Sequence, residues 1–191
     1  VVAALVRVGV HVIVVPDVPD QSTPDAVFPN NWVSTHNDGT VVLYPMAADN
    51  RRAERRLDIL KLIAAERGFR LSRVMDLSWL EQSGSFLEGT GSMVLDRLHG
   101  TAYAARSART HPLALAEFSR LTGYRLVAFD ASLGAGAVYH TNVLMSLGRH
   151  FAILCSEAIG DPAARQSVCA ELGATNRSLI EVSGEQVRQF A

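Results

Sequence analysis

Three short stretches of the 191-residue chain carry side chains that could do chemistry: Asp25-Ala26-Val27-Phe28-Pro29-Asn30-Asn31-Trp32, Phe86-Leu87-Glu88-Gly89-Thr90-Gly91-Ser92 and Tyr139-His140-Thr141-Asn142. Each precedes an apolar run that reads as a strand, where Asp, Asn, Pro and Gly are ordinarily scarce. A carboxylate beside an imidazole orients and charges the ring, the pairing that acid–base and nucleophilic catalysis use. Glu88 and His140 could form that pair. Taken alone, His140 at a strand edge reads as a satisfied structural histidine; its place in a repeat argues otherwise.

Arginines form a second signal. Arg51, Arg52, Arg55 and Arg56 load the start of one expected helix, and Arg106 and Arg109 precede another. Positive charge at a helix N-terminus opposes the macrodipole. Either these are solvated basic faces, or a carboxylate is held there between forked guanidinium groups.

The elements that must position these groups repeat. Ala3 to Val8 reads as the end of a helix, His11 to Val15 as a buried strand, and Pro16 to Pro24 as a loop. Strands at 32–35 and 40–44 flank the turn Asn37-Asp38-Gly39, and Asn50 caps a helix reaching Arg67, with Leu57, Leu60, Ile63 and Ala64 on one face. The order recurs as a strand at 69–74, strands at 93–95 and 101–105, and a helix capped by Thr110 with Pro112 in its first turn. A third round has a strand at 125–129, a Gly-rich loop, strands at 143–147 and 151–155, and a helix capped by Asp161. Strand 179–182 and a helix from Glu185 to the final Phe190-Ala191 begin a fourth.

The approximate repeats are 11–68, 69–123, 124–173 and a start at 178–191, all within one partial domain, 1–191. Three strands and a helix per unit, with a period of about 50–60 residues, predict an α/β chain with radial repetition rather than a doubly wound sheet. Stacked this way, Asn30-Asn31, Glu88 to Gly91 and His140 to Asn142 converge near one axis.

Composition sets the remaining bounds. A mass of 20.7 kDa fits one domain, and a net charge of −1 provides no basic field for nucleic acid. The apolar runs are too short to span a bilayer, so a soluble, cytoplasmic protein is expected without a membrane partner. Cys155 and Cys169 do not make a disulfide framework, which fits a reducing compartment. Each reads as an inert core residue. The six histidines lack paired metal-ligand spacing, so neither metal nor cofactor is expected. The chain begins without Met, inside what reads as a helix, and is expected to be the middle of something longer.

In this order, DAVFPNNW, the NRRAE run, FLEGTGS, SART and YHTNV resemble the arginine deiminase, dimethylarginine hydrolase and amidinotransferase (pentein) superfamily, most nearly its arginine deiminase-related, citrulline-utilising branch. The resemblance covers nearly the whole chain. It implies a five-fold pseudo-symmetric α/β propeller, of which about three and a half units lie here. It implies that His140 is the catalytic histidine and Glu88 its associated acid. By the same resemblance Asp25, in the D-x-V-F pattern with Phe28, holds a substrate α-amino group, and Arg52 and Arg109 clamp the α-carboxylate. Asn30, Asn31 and Asn142 stand where relatives place acids.

The family chemistry is attack by a cysteine thiolate on a guanidinium carbon, loss of an amine, and hydrolysis of the adduct. The family nucleophile lies nearer the C-terminus than either cysteine here. Because amides suit a neutral ureido group, the expected substrate is citrulline, giving ornithine, ammonia and carbon dioxide. Arginine deiminase-like or amidinotransferase activity is the alternative enzyme reading, and a non-catalytic amino-acid binder the alternative outside enzymes. A small-molecule amino acid is the expected partner, and a homo-oligomer remains open.

Overall fold

The first two sheets have a central strand buried on both faces, and the sequence of each strand shows how. The computed structural model describes residues 1–18, 22–134 and 136–189. After a short helix α1 (Val2–Arg7), the first sheet is built from the hairpin β1 (Val33–Thr35) and β2 (Thr40–Leu43). Two helices follow, α2 (Asp49–Arg52) and α3 (Leu57–Arg67), and β3 (Arg73–Asp76) then pairs parallel with β2. Val41 and Leu43 face a core with Trp32, Met46 and Leu60, while Val42 and Tyr44 face the next core with Met75, Leu77 and Phe118. A run as continuously apolar as Val41-Val42-Leu43-Tyr44 has this two-sided burial as its natural outcome.

The second sheet repeats the order. A one-turn helix α4 (Gly89–Ser92) leads into β4 (Val94–Asp96) and β5 (Thr101–Ala105), then α5 (Pro112–Thr122), and β6 (Arg125–Phe129) lies parallel to β5. Ala102 and Ala104 share the core of Val42 and Tyr44; Tyr103 and Ala105 face a third core with Phe129, Leu144, Leu154 and Ile159. After the two-stranded ribbon β7 (Ser132–Leu133) and β8 (Gly136–Ala137), the third sheet comprises β9 (Met145–Leu147), β10 (Phe151–Leu154) and, beyond α6 (Pro162–Gly173), the parallel strand β11 (Ser178–Glu181). Helix α7 (Gly184–Arg188) follows, capped reciprocally by Ser183 and Gln186. Among the described residues, no helix is long and apolar enough to cross a membrane.

Several expectations are corrected. Residues 11–15 are not a strand: they have no ladder partner among the described residues, and Val14 is exposed. The helix expected from Asn50 to Arg67 is broken between α2 and α3, because Arg55 turns inward to the Tyr44 carbonyl and Arg56 is extended (φ −102°, ψ 99°). Asn50 is therefore inside α2 rather than its cap. The strand expected at 69–74 starts at Arg73, where it meets Thr40; Ser72 N–H instead donates to the Gly39 carbonyl. His111, not Thr110, caps α5, its Nδ1 accepting from Leu113 N–H. The strand expected at 143–147 begins at Met145, since residues 141–143 form a 3-10 turn. Expectations for Ala135 in the Gly-rich loop, and for Phe190 and Ala191, lie outside the described residues.

Candidate active site

Three turns feed the first strands of the three sheets: the 3-10 turn Pro29–Asn31 before β1, α4 before β4, and the 3-10 turn Thr141–Val143 before β9. Their leading residues are Phe28, Glu88 and His140. Helix α4 lies between the other two. Gly89 has φ +48°, and a Cβ there would meet the Asn30 carbonyl oxygen at 2.3 Å, so the first turn approaches as only glycine permits. On the other side, Thr141 Oγ1 donates to the Ser92 carbonyl (2.6 Å) and accepts from Ala105 N–H (2.7 Å). These two bonds set the backbone from which His140 projects.

The structure brings Glu88 and His140 together. His140 Nε2 lies 2.7 Å from Glu88 Oε2, and both side chains are buried. The other carboxylate oxygen accepts from Ala47 N–H at 3.0 Å, and Arg109 Nη1 reaches Oε2 at 3.3 Å. Burial pushes the Glu88 carboxyl up, but its hydrogen bonds to His140 and Ala47 and the Arg109 charge outweigh this and hold it below the usual range. The result is an anionic carboxylate fixed against one nitrogen of a buried imidazole. Such a pair can stabilise an imidazolium and move a proton at the other ring nitrogen.

Arg109 is 40% exposed and also stacks over Tyr139, its Cζ 5.4 Å from the ring centroid. Arg52 is part-exposed, bonded to the Met46 carbonyl, Asp49 and Glu81, and 6.0 Å from the centre of Phe86. The segment 86–88 thus has Arg52 against one end and Arg109 against the other.

The remaining arginines of these two clusters are likewise held by carboxylates of the chain. Arg55 forks onto Glu81, Arg56 pairs with Asp58, and Arg106 forks onto Asp130. Arg51, buried, pairs with Glu54 through two bonds of 2.9 and 3.0 Å, and donates to Asn31 Oδ1 and to the carbonyls of Asp25 and Phe28. Arg51 and Glu54 were not singled out as a pair from sequence, although their i,i+3 spacing permits it. Ser92, Thr141 and Gly91 also went unassigned.

Asn31 is consequently occupied: its amide oxygen takes Arg51, and its NH2 faces the Glu88 carbonyl at 3.4 Å. The amide of Asn31 does not have its oxygen free to read a substrate. Asp25 is half-exposed, 3.9 Å from Arg51 Nε, while Phe28 and Asn142 are exposed. Asn30 lines a cavity of about 840 Å³ between residues 11–17, the 23–30 loop and α3. That cavity is not at the chemistry, for neither Glu88 nor His140 lines it.

Neither cysteine is poised as a nucleophile. Cys155 is wholly buried in the third core, Cys169 packs against that core from α6, and burial pushes both thiols up. No group of three His, Cys, Asp or Glu side chains that could hold a metal occurs among the described residues.

The α/β arrangement matches the folds of several solved structures. The apo structure of ArgZ, an arginine dihydrolase from the ornithine–ammonia cycle in cyanobacteria, matches with a TM-score of 0.72 and 18% identity, over 100% of this chain and 28% of that one. Unliganded AgrE matches with a TM-score of 0.72 and 17% identity, over 99% of this chain and 25% of that one. A dimethylarginine dimethylaminohydrolase adduct matches at 0.52 and 15%, over 98% and 82%. The family described as N,N dimethylarginine dimethylhydrolase, eukaryotic, matches residues 1–191, and the chain belongs to that family within the pentein superfamily. No curated protein matches the chain. The chain spans about a quarter of the length of the full ArgZ and AgrE chains.

Proposed function

We propose that the chain forms part of a hydrolase that cleaves a C–N bond of an arginine-type guanidino amino acid, with Glu88 and His140 as its acid–base pair. The 2.7 Å contact between these two buried side chains carries the reading. Glu88 holds the ring and stabilises its charged form. His140 protonates the departing amine and then deprotonates the water that releases the covalent adduct. Because burial disfavours the thiolates of Cys155 and Cys169, the attacking thiolate is one that these 191 residues do not contain. Arg52 and Arg109 hold the substrate carboxylate, and Asp25 its ammonium group. Three sheets of one topology support the further reading that they are consecutive units of a five-fold α/β propeller. A cytoplasmic setting fits these roles.

A ureido substrate fits less well. Preference for citrulline is expected from amides standing in place of acids at Asn30, Asn31 and Asn142; Asn31 is tied to Arg51, and Asn142 is exposed. The neighbours point the same way, since the C264A mutant of AgrE has been crystallised with L-arginine. The full-length protein, supplied separately with arginine, dimethylarginine and citrulline, should release amine or ammonia faster from a guanidine than from citrulline. His140→Ala should lower kcat by about 10²–10⁴-fold. Unchanged turnover in that variant, or exclusive use of citrulline, overturns the reading.

A further inference from the structure

We propose that a cavity between the first and second sheets is a second binding site, for a small zwitterion of amino-acid size. The cavity holds about 250 Å³ and is lined by His36, Asn37, Asp38 and Thr40 from the first hairpin, Met75 from β3, Arg97 from the second hairpin, and Thr122 and Tyr124. At about 30 Å³ per water it has room for roughly eight waters, the scale of an amino acid and too small for a nucleotide.

Its charges are one of each sign. Arg97 makes no ion pair among the described residues; Nη1 donates to the Thr35 carbonyl at 2.8 Å, which leaves the rest of the fork unused. Asp38 accepts from Thr40 N–H and Oγ1–H, both at 2.9 Å, and these bonds hold its carboxyl below the usual range, hence ionised near neutral pH. A lone anion drawn to Arg97 also faces Asp38, and a lone cation meets the reverse conflict. A molecule carrying both a carboxylate and an ammonium group satisfies both.

The histidine in the lining is kept neutral. Burial first, and the neighbouring Arg97 charge second, push the His36 imidazole down. Its Nδ1 lies 3.5 Å from Arg97 Nη1, and its Nε2 lies 3.1 Å from Ser34 Oγ, which in turn lies 2.7 Å from Tyr44 Oη. With both ring nitrogens engaged, His36 orients Arg97 rather than the ligand, and the ring edge packs against Tyr124, centroids 5.9 Å apart. Tyr124 and Met75 supply an apolar wall for a short side chain.

This site is separate from Glu88 and His140, neither of which lines it. It is connected to them by two short strands. β1 runs from the Asn31 turn to His36, and β4 runs from α4 to Arg97. Each spans about 10 Å at roughly 3.3 Å per residue.

The test follows the His36 ring signals of the full-length protein by NMR, assigned with a His36→Gln variant, during titration with L-alanine, succinate or ethanolamine. Saturable shifts with L-alanine at about millimolar concentration are expected, with weaker responses to the other two. Arg97→Gln and Asp38→Asn, each checked for native Tm, should weaken the L-alanine response by about tenfold or more. The proposal is overturned if His36 does not respond to L-alanine, if succinate acts as strongly, or if both folded variants bind alanine as before.

Discussion

A Cβ placed on Gly91 would lie 2.9 Å from His140 Nδ1 and 2.4 Å from Asn31 Nδ2. The backbone of α4 is therefore the surface against which the imidazole ring and the Asn31 amide are both seated. Gly91 has no unusual φ, so the constraint is space rather than backbone freedom. Gly91→Ala should displace the ring from Glu88 while leaving the helix turn intact. A misplacement on the order of 1 Å costs about a hundredfold in rate, and overpacking costs about 1–3 kcal/mol of stability. Steady-state kinetics of the full-length variant beside its denaturant midpoint test this. Full activity with wild-type stability would show that the site has slack the geometry denies.

Glu88 gives a pH signature. Its folded-state carboxyl is held below the usual range, so the unfolded chain binds the proton more readily. The stabilisation is complete above the ordinary glutamate range of about 4–4.5 and disappears as pH falls through the lower folded value. Glu88→Gln should flatten the acid limb of the stability curve. It should also lower stability at neutral pH by about 3 kcal/mol, because Arg109 and His140 lose a buried partner. Denaturation midpoints from about pH 3 to about pH 7, a span that brackets the ordinary carboxylate values near 4, are the measurement. Parallel acid limbs in the two proteins would mean that other carboxylates govern the acid response.

The hairpin signals were legible because they are local. Asn37-Asp38-Gly39 closes β1 onto β2 with Gly39 at φ +82°, where a Cβ would meet the Arg70 carbonyl oxygen at 2.1 Å. The Glu88–His140 pair was also legible, through the shared place of each residue before the first strand of its sheet. The fates of Arg51, Arg52, Arg55 and Arg56 were not. Within one or two helical turns all four look alike in sequence; Arg51 and Arg56 pair with the local acids Glu54 and Asp58, whereas Arg52 and Arg55 both meet a tertiary acid, Glu81, 26 residues beyond Arg55. Residues 11–15 have strand-like composition, but a strand is defined by its partner, and none is present among the described residues.

Arg51 ties the turn that carries Asp25, Phe28 and Asn31 to α2, with one guanidinium serving Glu54, an amide and two carbonyls. Arg51→Ala leaves Glu54 buried without its cation and should cost about 3–5 kcal/mol. Arg51→Lys retains the charge but cannot fork, so an intermediate loss is expected. Amide hydrogen exchange supplies a local check. Residues 25–31 should lose protection in the lysine variant while β5 and β6 keep theirs, and equal loss everywhere would rule out a local role for Arg51.

The cysteines offer the sharpest separation of structural from chemical roles. Burial raises both thiols, and Cys155 sits among Leu144, Leu154 and Ile159 with no exposed surface. In the native full-length protein both should react with iodoacetamide far more slowly than any activated thiolate elsewhere in the molecule. Cys169→Ala should leave kcat unchanged. Cys155→Ala removes a buried sulfur and should lower stability by about 1 kcal/mol while sparing kcat. Peptide mapping after brief alkylation, beside kinetics of the two variants, makes the distinction. Rapid labelling of Cys155 or Cys169 with matching loss of turnover would move the nucleophile into this part of the chain and overturn its proposed assignment to another thiol.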